Sequence, residues 1–219
     1  MVEAKLRIDQ EIMIPIGENQ LAGFLSIPEN AKGLVLFAHG SGSSRHSKRN
    51  QFVAKYMQEE GLGTLLFDLL SEEEEKIDEM NRELRFNIPL LSERLIKTTE
   101  WVLSYEPTHG LGIGLFGAST GAAAALIAAA ELSKDVKAVV SRGGRPDLAG
   151  SKLMHVKAPT LLIVGGADYG VIELNDKAFG LLTCEKKFEI VPHATHLFQE
   201  PGTLEEVGHK ASIWFNQFL

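Results

Sequence analysis

The chain has 219 residues, 44% of them hydrophobic and 23% charged, with a formal net charge of −7. That length suits one domain with a full core, and the acidic balance argues against a broad nucleic-acid or anionic-membrane surface. A single cysteine, Cys184, excludes an intrachain disulfide framework and a cysteine-cluster metal site, and its neighbours read as a helix end, so the thiol reads as structural. The first residues lack the apolar core of a signal peptide and no stretch approaches a membrane-spanning length, so a cytoplasmic location is expected.

Residues 5–14 and 20–28 read as an antiparallel hairpin around Pro15–Asn19. Leu34–Ala38 is a continuous apolar run, as expected of a strand buried on both faces, and it ends in His39-Gly40-Ser41-Gly42-Ser43-Ser44. Helical spacing predicts a helix over 50–60 with Gly61 as its stop, then a buried strand over 64–67 finishing at Asp68. From Ser71 to Asn87 the chain turns Glu-rich, which reads first as a solvated helix or surface excursion; residues 71–91 could also serve as a small lid. A helix over 92–105 leads into the apolar run 111–116, and the Ala-rich run 122–130 reads as a closely packed helix. Strands are expected at 136–141, 160–164 and 187–191, a Gly/Pro turn at 143–146, and helices at 172–182 and 203–218. Strand alternating with helix is the pattern of an α/β fold with a mostly parallel sheet covered on both faces. Nothing in the composition splits residues 1–219 into more than one domain.

Between the apolar run 111–116 and the Ala-rich helix stands Gly117-Ala118-Ser119-Thr120-Gly121. A serine on so short a strand-to-helix turn is the setting of a nucleophile elbow: the small flanking residues let strand and helix backbones approach, and the turn lifts the hydroxyl clear of the sheet edge. A serine hydroxyl is a weak nucleophile near neutral pH and needs a base, which in turn needs an orienting acid. His196, in the loop after the last strand, and Asp168, just past the strand 160–164, both fall at the carboxyl edge of a parallel sheet and supply those roles. His193 is the rival base; it abuts the strand, whereas His196 has loop slack to turn toward the elbow. Asp176 falls inside the following helix, facing away. The backbone N–H groups of Thr120 and Ser41 are the expected oxyanion donors. His39, Gly40, Arg45, His46 and Arg142 are candidate substrate contacts, Arg45 and His46 for an acidic part of the substrate. Phosphate binding is the alternative for the Gly/Ser loop after Ala38, flanked as it is by Arg45, His46, Lys48 and Arg49, but no phosphate-loop or dinucleotide glycine pattern follows a strand, which ranks nucleotide binding low.

These residues resemble the α/β-hydrolase superfamily and, within it, the compact dienelactone hydrolase-like esterases. His39-Gly40-Ser41-Gly42, the elbow, Gly165-Gly166-Ala167-Asp168 and His193-Ala194-Thr195-His196 fall in that family's order over nearly the whole chain. Ser141-Arg142-Gly143-Gly144-Arg145-Pro146-Asp147 is similar to a subgroup, some of whose members are fused to a phosphoribosyltransferase-like domain. Dienelactone hydrolases proper use a cysteine nucleophile. With serine in that place, the resemblance implies a carboxylesterase with minimal or no cap, acting on small or short-chain esters, with no metal or cofactor and a small-molecule ester as partner. A lactonase, thioesterase or amidase on the same triad and a non-catalytic binding module are the alternatives.

Overall fold

In the computed structural model, which describes residues 5–219, Leu34–Ala38 lies within a strand whose side chains part alternately to two sides. Leu34, Leu36 and Ala38 enter one apolar cluster, while Val35 and Phe37 enter the other. That division explains the unbroken apolar run: a strand buried on both faces has no position for a polar residue. The reading of the first residues as lacking an apolar leader falls partly on 1–4, outside the described residues.

Eight strands form one sheet: β1 (Leu6–Ile16), β2 (Asn19–Pro28), β3 (Gly33–Ala38), β4 (Gly63–Phe67), β5 (Gly112–Ala118), β6 (Val136–Arg142), β7 (Thr160–Gly165) and β8 (Lys186–Val191). Their order is β1-β2-β4-β3-β5-β6-β7-β8. The β1–β2 and β2–β4 pairs are antiparallel and the others parallel, the mostly parallel sheet with an N-terminal hairpin that the pattern predicts. β1 runs through Pro15 to Ile16, two residues into the expected turn. As the outermost strand it tolerates a residue without an N–H.

Helices α1 (Lys48–Glu59) and α6 (Thr203–Phe218) cover one face; α3 (Ile88–Ser104), α4 (Gly121–Glu131) and α5 (Tyr169–Leu181) cover the other. This is the α/β-hydrolase fold. α3 starts earlier than its apolar spacing predicts, because the Asn87 side chain accepts from the Leu90 N–H at 3.1 Å and Pro89 suits the first turn. A 3₁₀ segment over Pro146–His155, broken at Gly150, replaces what reads in sequence as turn and loop. Among the described residues, no helix is long and apolar enough to cross a membrane.

The Glu-rich stretch folds as α2 (Glu72–Asn81), opened by a capping box in which Ser71 and Glu74 satisfy each other's backbone N–H groups. Most of this helix is exposed, but Asp78 is buried and binds Arg85, which follows it.

Candidate active site

Backbone strain marks the first component. Ser119 has φ +51°, a left-handed conformation that is costly for a residue with a side chain. Three backbone bonds hold it there: the Ser119 N–H donates to Arg142 O at 3.3 Å, while the Ala122 and Arg145 N–H groups donate to Ser119 O at 3.1 and 2.9 Å. The glycines permit the close approach. A Cβ on Gly117 would stand 2.4 Å from Ala122 Cα, and one on Gly121 would stand 2.1 Å from Ala38 O. The hydroxyl therefore rises from the end of β5 at the head of α4, half-buried.

Asp168 follows β7 as the N-cap residue of α5, yet its carboxylate does not cap that helix. It lies 2.7 Å from His196 Nδ1 instead. A carboxylate only accepts, so Nδ1 carries the proton and Nε2 is left as an acceptor. The two loops are tied together, the Ala167 N–H donating to Ala194 O at 2.9 Å and the Gly166 N–H to Val191 O at 2.8 Å. Thr195 is stapled to Glu200 by its N–H and hydroxyl at 3.0 and 2.7 Å, and the buried Phe198 anchors the turn. His193 is exposed in a left-handed conformation, and Asp176 is exposed on α5. Ser119 and His196 line one cavity of about 220 Å³, with Gly40, Ser41 and Arg142 among its other walls.

Ser41 lies in the loop after β3, but its N–H is engaged: it donates to Thr120 Oγ1 at 2.9 Å. The two hydroxyls are also 2.9 Å apart, and Ser41 Oγ donates to Arg85 O at 2.8 Å. With one proton per hydroxyl, the chain runs from the Ser41 N–H to the Thr120 hydroxyl, then to the Ser41 hydroxyl and Arg85 O. Thr120 opens α4, so its own N–H belongs to a first turn without intrahelical partners. The excursion thus reaches the elbow through Ser41. A second cavity of about 200 Å³ separates them, lined in part by Asp68, Glu75, Asp78 and Arg85. Burial, together with the charge of Asp68, pushes the Glu75 carboxyl up from its ordinary value.

Three of the expected substrate contacts have partners within the chain. His39 Nε2 accepts from the Leu69 N–H at 3.1 Å and Nδ1 lies 3.0 Å from Gly40 O, so both ring nitrogens serve the backbone. Burial holds this imidazole below its ordinary value against the opposing pull of Gly40 O and Asp68. Arg45 is closed by Asp68, which takes its N–H at 2.7 Å and its guanidinium in an ion pair, and it lies over the Phe24 ring at 5.2 Å. His46 stands edge-on to the same ring at 5.3 Å. Arg142 and Gly40 do reach the Ser119 cavity. So do Arg49, which in sequence only flanks the Gly/Ser loop, and Asn50, which sequence reading gives no part in the site; Ser47, accepting from the Asn50 N–H at 3.4 Å as the α1 cap, is the signal that would place them in the first turn of a helix. Cys184 is half-buried with Sγ 3.7 Å from the Thr160 hydroxyl, and burial pushes its thiol up, the setting of an unreactive side chain.

No protein-family model matches the chain. It is 54% identical over 211 residues to two curated relatives from Mycobacterium tuberculosis that carry the name "Putative phosphoribosyl transferase". The match takes in 96% of this chain and 47% of theirs, so the chain spans about half the length of those relatives. Among solved structures, a dienelactone hydrolase from Anabaena variabilis is 55% identical, with a TM-score of 0.96 over 97% of this chain and 98% of that one. Est1E from Butyrivibrio proteoclasticus shares the fold at a TM-score of 0.78 and 15% identity, over 94% of this chain and 98% of that one.

Proposed function

The chain belongs to the dienelactone hydrolase family of α/β-hydrolases, and from that premise we propose that it is a serine hydrolase cleaving carboxylic esters of small or short-chain acyl groups. The observation that carries the reading is the 2.7 Å contact of Asp168 with His196 Nδ1, in a loop that shares a cavity with Ser119. In this mechanism Ser119 Oγ attacks the ester carbonyl while His196 Nε2 takes its proton. Asp168 holds the tautomer and stabilises the imidazolium. The tetrahedral oxyanion is met by the N–H groups of Thr120 and Ser41, the latter released by Thr120 Oγ1 to a stronger, charged acceptor. Collapse expels the alcohol, protonated by His196, and leaves an acyl-Ser119; water activated by the same histidine then frees the acid and restores the serine.

Residues 1–219 act in this proposal as one catalytic domain, in the cytoplasm, with 71–91 as a small lid. A lactone, thioester or amide would present the same carbonyl to the same groups. The phosphoribosyl transferase name belongs to proteins about twice as long, and we carry it to no residue of this chain.

Stopped-flow hydrolysis of p-nitrophenyl acetate tests the reading. A burst of nitrophenol that disappears in Ser119→Ala is expected, and full activity in that variant would overturn the proposal. Replacing His193 and His196 separately decides the base: a large loss of kcat at His193 with little at His196 reverses the assignment. Comparing lactones, thioesters and acyl chains of increasing length identifies the preferred bond.

A further inference from the structure

Arg142, the last residue of β6, is only 6% exposed. Its Nη2 donates to Asn50 Oδ1 at 2.9 Å, but its Nε has no partner. A buried guanidinium ordinarily comes with a counter-charge. Among the described residues the arginines paired with carboxylates are Arg45, Arg85, Arg94 and Arg145. A second arginine without such a pair, Arg49, lines the same cavity, and its buried Nε is also unpartnered. Among the described residues, no acidic side chain lines this cavity. Burial, added to by the charge of Arg49, lowers Arg142 to about 10, so it is still cationic at neutral pH; its guanidinium lies over the Phe198 ring at 5.9 Å and carries no carboxylate partner among the described residues. The first turn of the twelve-residue α1 supplies Arg49 and Asn50, and its cap Ser47 lies on the cavity wall, so the positive end of the helix dipole faces the same space.

We propose that Arg142, Arg49 and the N-terminus of α1 form a phosphate-binding subsite beside Ser119, and that the substrate is an ester bearing a phosphate group seated there. Two guanidinium charges and a helix N-terminus match a phosphomonoester, with its charge of about −1.5 to −2 and three acceptor oxygens. A carboxylate would leave one guanidinium uncompensated. The words "ester substrate" rest on the serine-hydrolase reading, whereas the subsite does not.

The test titrates inorganic phosphate calorimetrically into the wild-type protein and into Ser119→Ala, with succinate in parallel. Saturable binding at one site is expected in both proteins, tighter for phosphate than for succinate, with competitive inhibition of p-nitrophenyl acetate hydrolysis by phosphate in the wild type. Arg49→Gln, at a half-exposed position, should weaken phosphate binding at least tenfold, the loss of one charge-assisted contact. Lys55→Gln, which removes an exposed charge two turns further along α1 and outside the cavity, should bind as the wild type does. In unmutated protein, phosphate should also slow phenylglyoxal modification of Arg49, read by mass spectrometry. Absence of saturable phosphate binding, binding indifferent to Arg49→Gln, or tighter binding of succinate would overturn the proposal. Phosphate binding without Ser119-dependent turnover would leave the subsite standing and remove the hydrolase reading; turnover without phosphate binding would do the reverse.

Discussion

The N–H of Ser41 donates to the hydroxyl of Thr120 at 2.9 Å, so two loops that follow different strands meet through a group the substrate would have to claim. Because that hydroxyl also engages Ser41 Oγ, removing it releases the β3 loop at two points. Thr120→Val is expected to lower kcat for p-nitrophenyl acetate about tenfold with a smaller change in KM, since a donor left mobile loses part of the roughly hundredfold or greater worth of a fixed one. Thr120→Ser keeps the hydroxyl and should restore most of the rate. An unchanged kcat in the valine variant would mean that Ser41 takes no part in the reaction.

In the proposed mechanism Asp168 acts on the imidazole through Nδ1, the nitrogen it contacts at 2.7 Å. Asp168→Asn keeps the shape but offers an amide that can donate to Nδ1, turning the ring to the tautomer whose Nε2 cannot accept a proton. A fall in kcat of about a thousandfold or more is expected, with KM nearly unchanged. A loss below tenfold would assign the orienting role elsewhere.

The link from the excursion to Ser41 gives a further expectation. Asp78 accepts from the Arg85 N–H at 2.9 Å and from its Nε at 2.5 Å, and Arg85 O in turn receives the Ser41 hydroxyl. Although burial pushes Asp78 up, the bonds from Arg85 outweigh it and hold the carboxyl below its ordinary value. Asp78→Ala leaves the Arg85 N–H without its partner, at a cost of about 1–3 kcal/mol. Faster amide hydrogen exchange over 72–86 and a several-fold lower kcat/KM are expected; unchanged exchange there would show that this pair does not hold the excursion.

How far the sequence revealed these relationships depended on the range of the interaction. Burial of Leu36 and Phe37 on opposite faces and the small residues around Ser119 are local properties, so apolar runs and spacing expose them. Asp168 and His196 were legible because a parallel sheet delivers every strand's carboxyl end to one edge. Arg45 and Arg142 were both candidates in sequence, but which of them is neutralised was not legible. Asn50 meets Arg142 across 92 positions and Arg45 meets Asp68 across 23, and only the placing of β3 between β4 and β5, with β6 next, decides which arginine is neutralised and which stays open to the cavity. A charged loop residue looks the same in sequence in either case.

His39 makes stability depend on acid. Its folded-state value lies below the ordinary 6.5, so below that pH the unfolded chain binds more protons than the folded one. The contribution is complete above 6.5 and is lost as pH falls toward the folded value, when a proton on Nε2 would oppose the Leu69 N–H. Melting curves of the wild type and His39→Gln from about pH 5 to pH 8 isolate it, because the other histidines are common to both. The variant should be less stable by about 1–2 kcal/mol near neutrality, through the disturbed Leu69 and Gly40 bonds, and should lose less stability on acidification. Parallel curves would show that this ring does not couple to folding.

Two glycine substitutions separate crowding from backbone strain. At Gly117 the backbone does not require a left-handed conformation, but an added Cβ would lie 2.4 Å from Ala122 Cα and 2.6 Å from Gly121 O, so α4 would have to move off β5. The three nearest atoms all belong to the backbone of Gly121 and Ala122, so no flexible side chain can yield. Gly117→Ala is therefore expected to cost about 3 kcal/mol, the upper part of the overpacking range, and to abolish Ser119 labelling by fluorophosphonate even where folded protein is recovered. Gly61 is the opposite case, with φ +83° and open space around a Cβ, so Gly61→Ala should cost only about 1 kcal/mol and leave labelling intact. Equal losses at the two positions in chemical denaturation would mean that the elbow tolerates a wider separation of β5 and α4, and that the strain at Ser119 is not maintained by their contact.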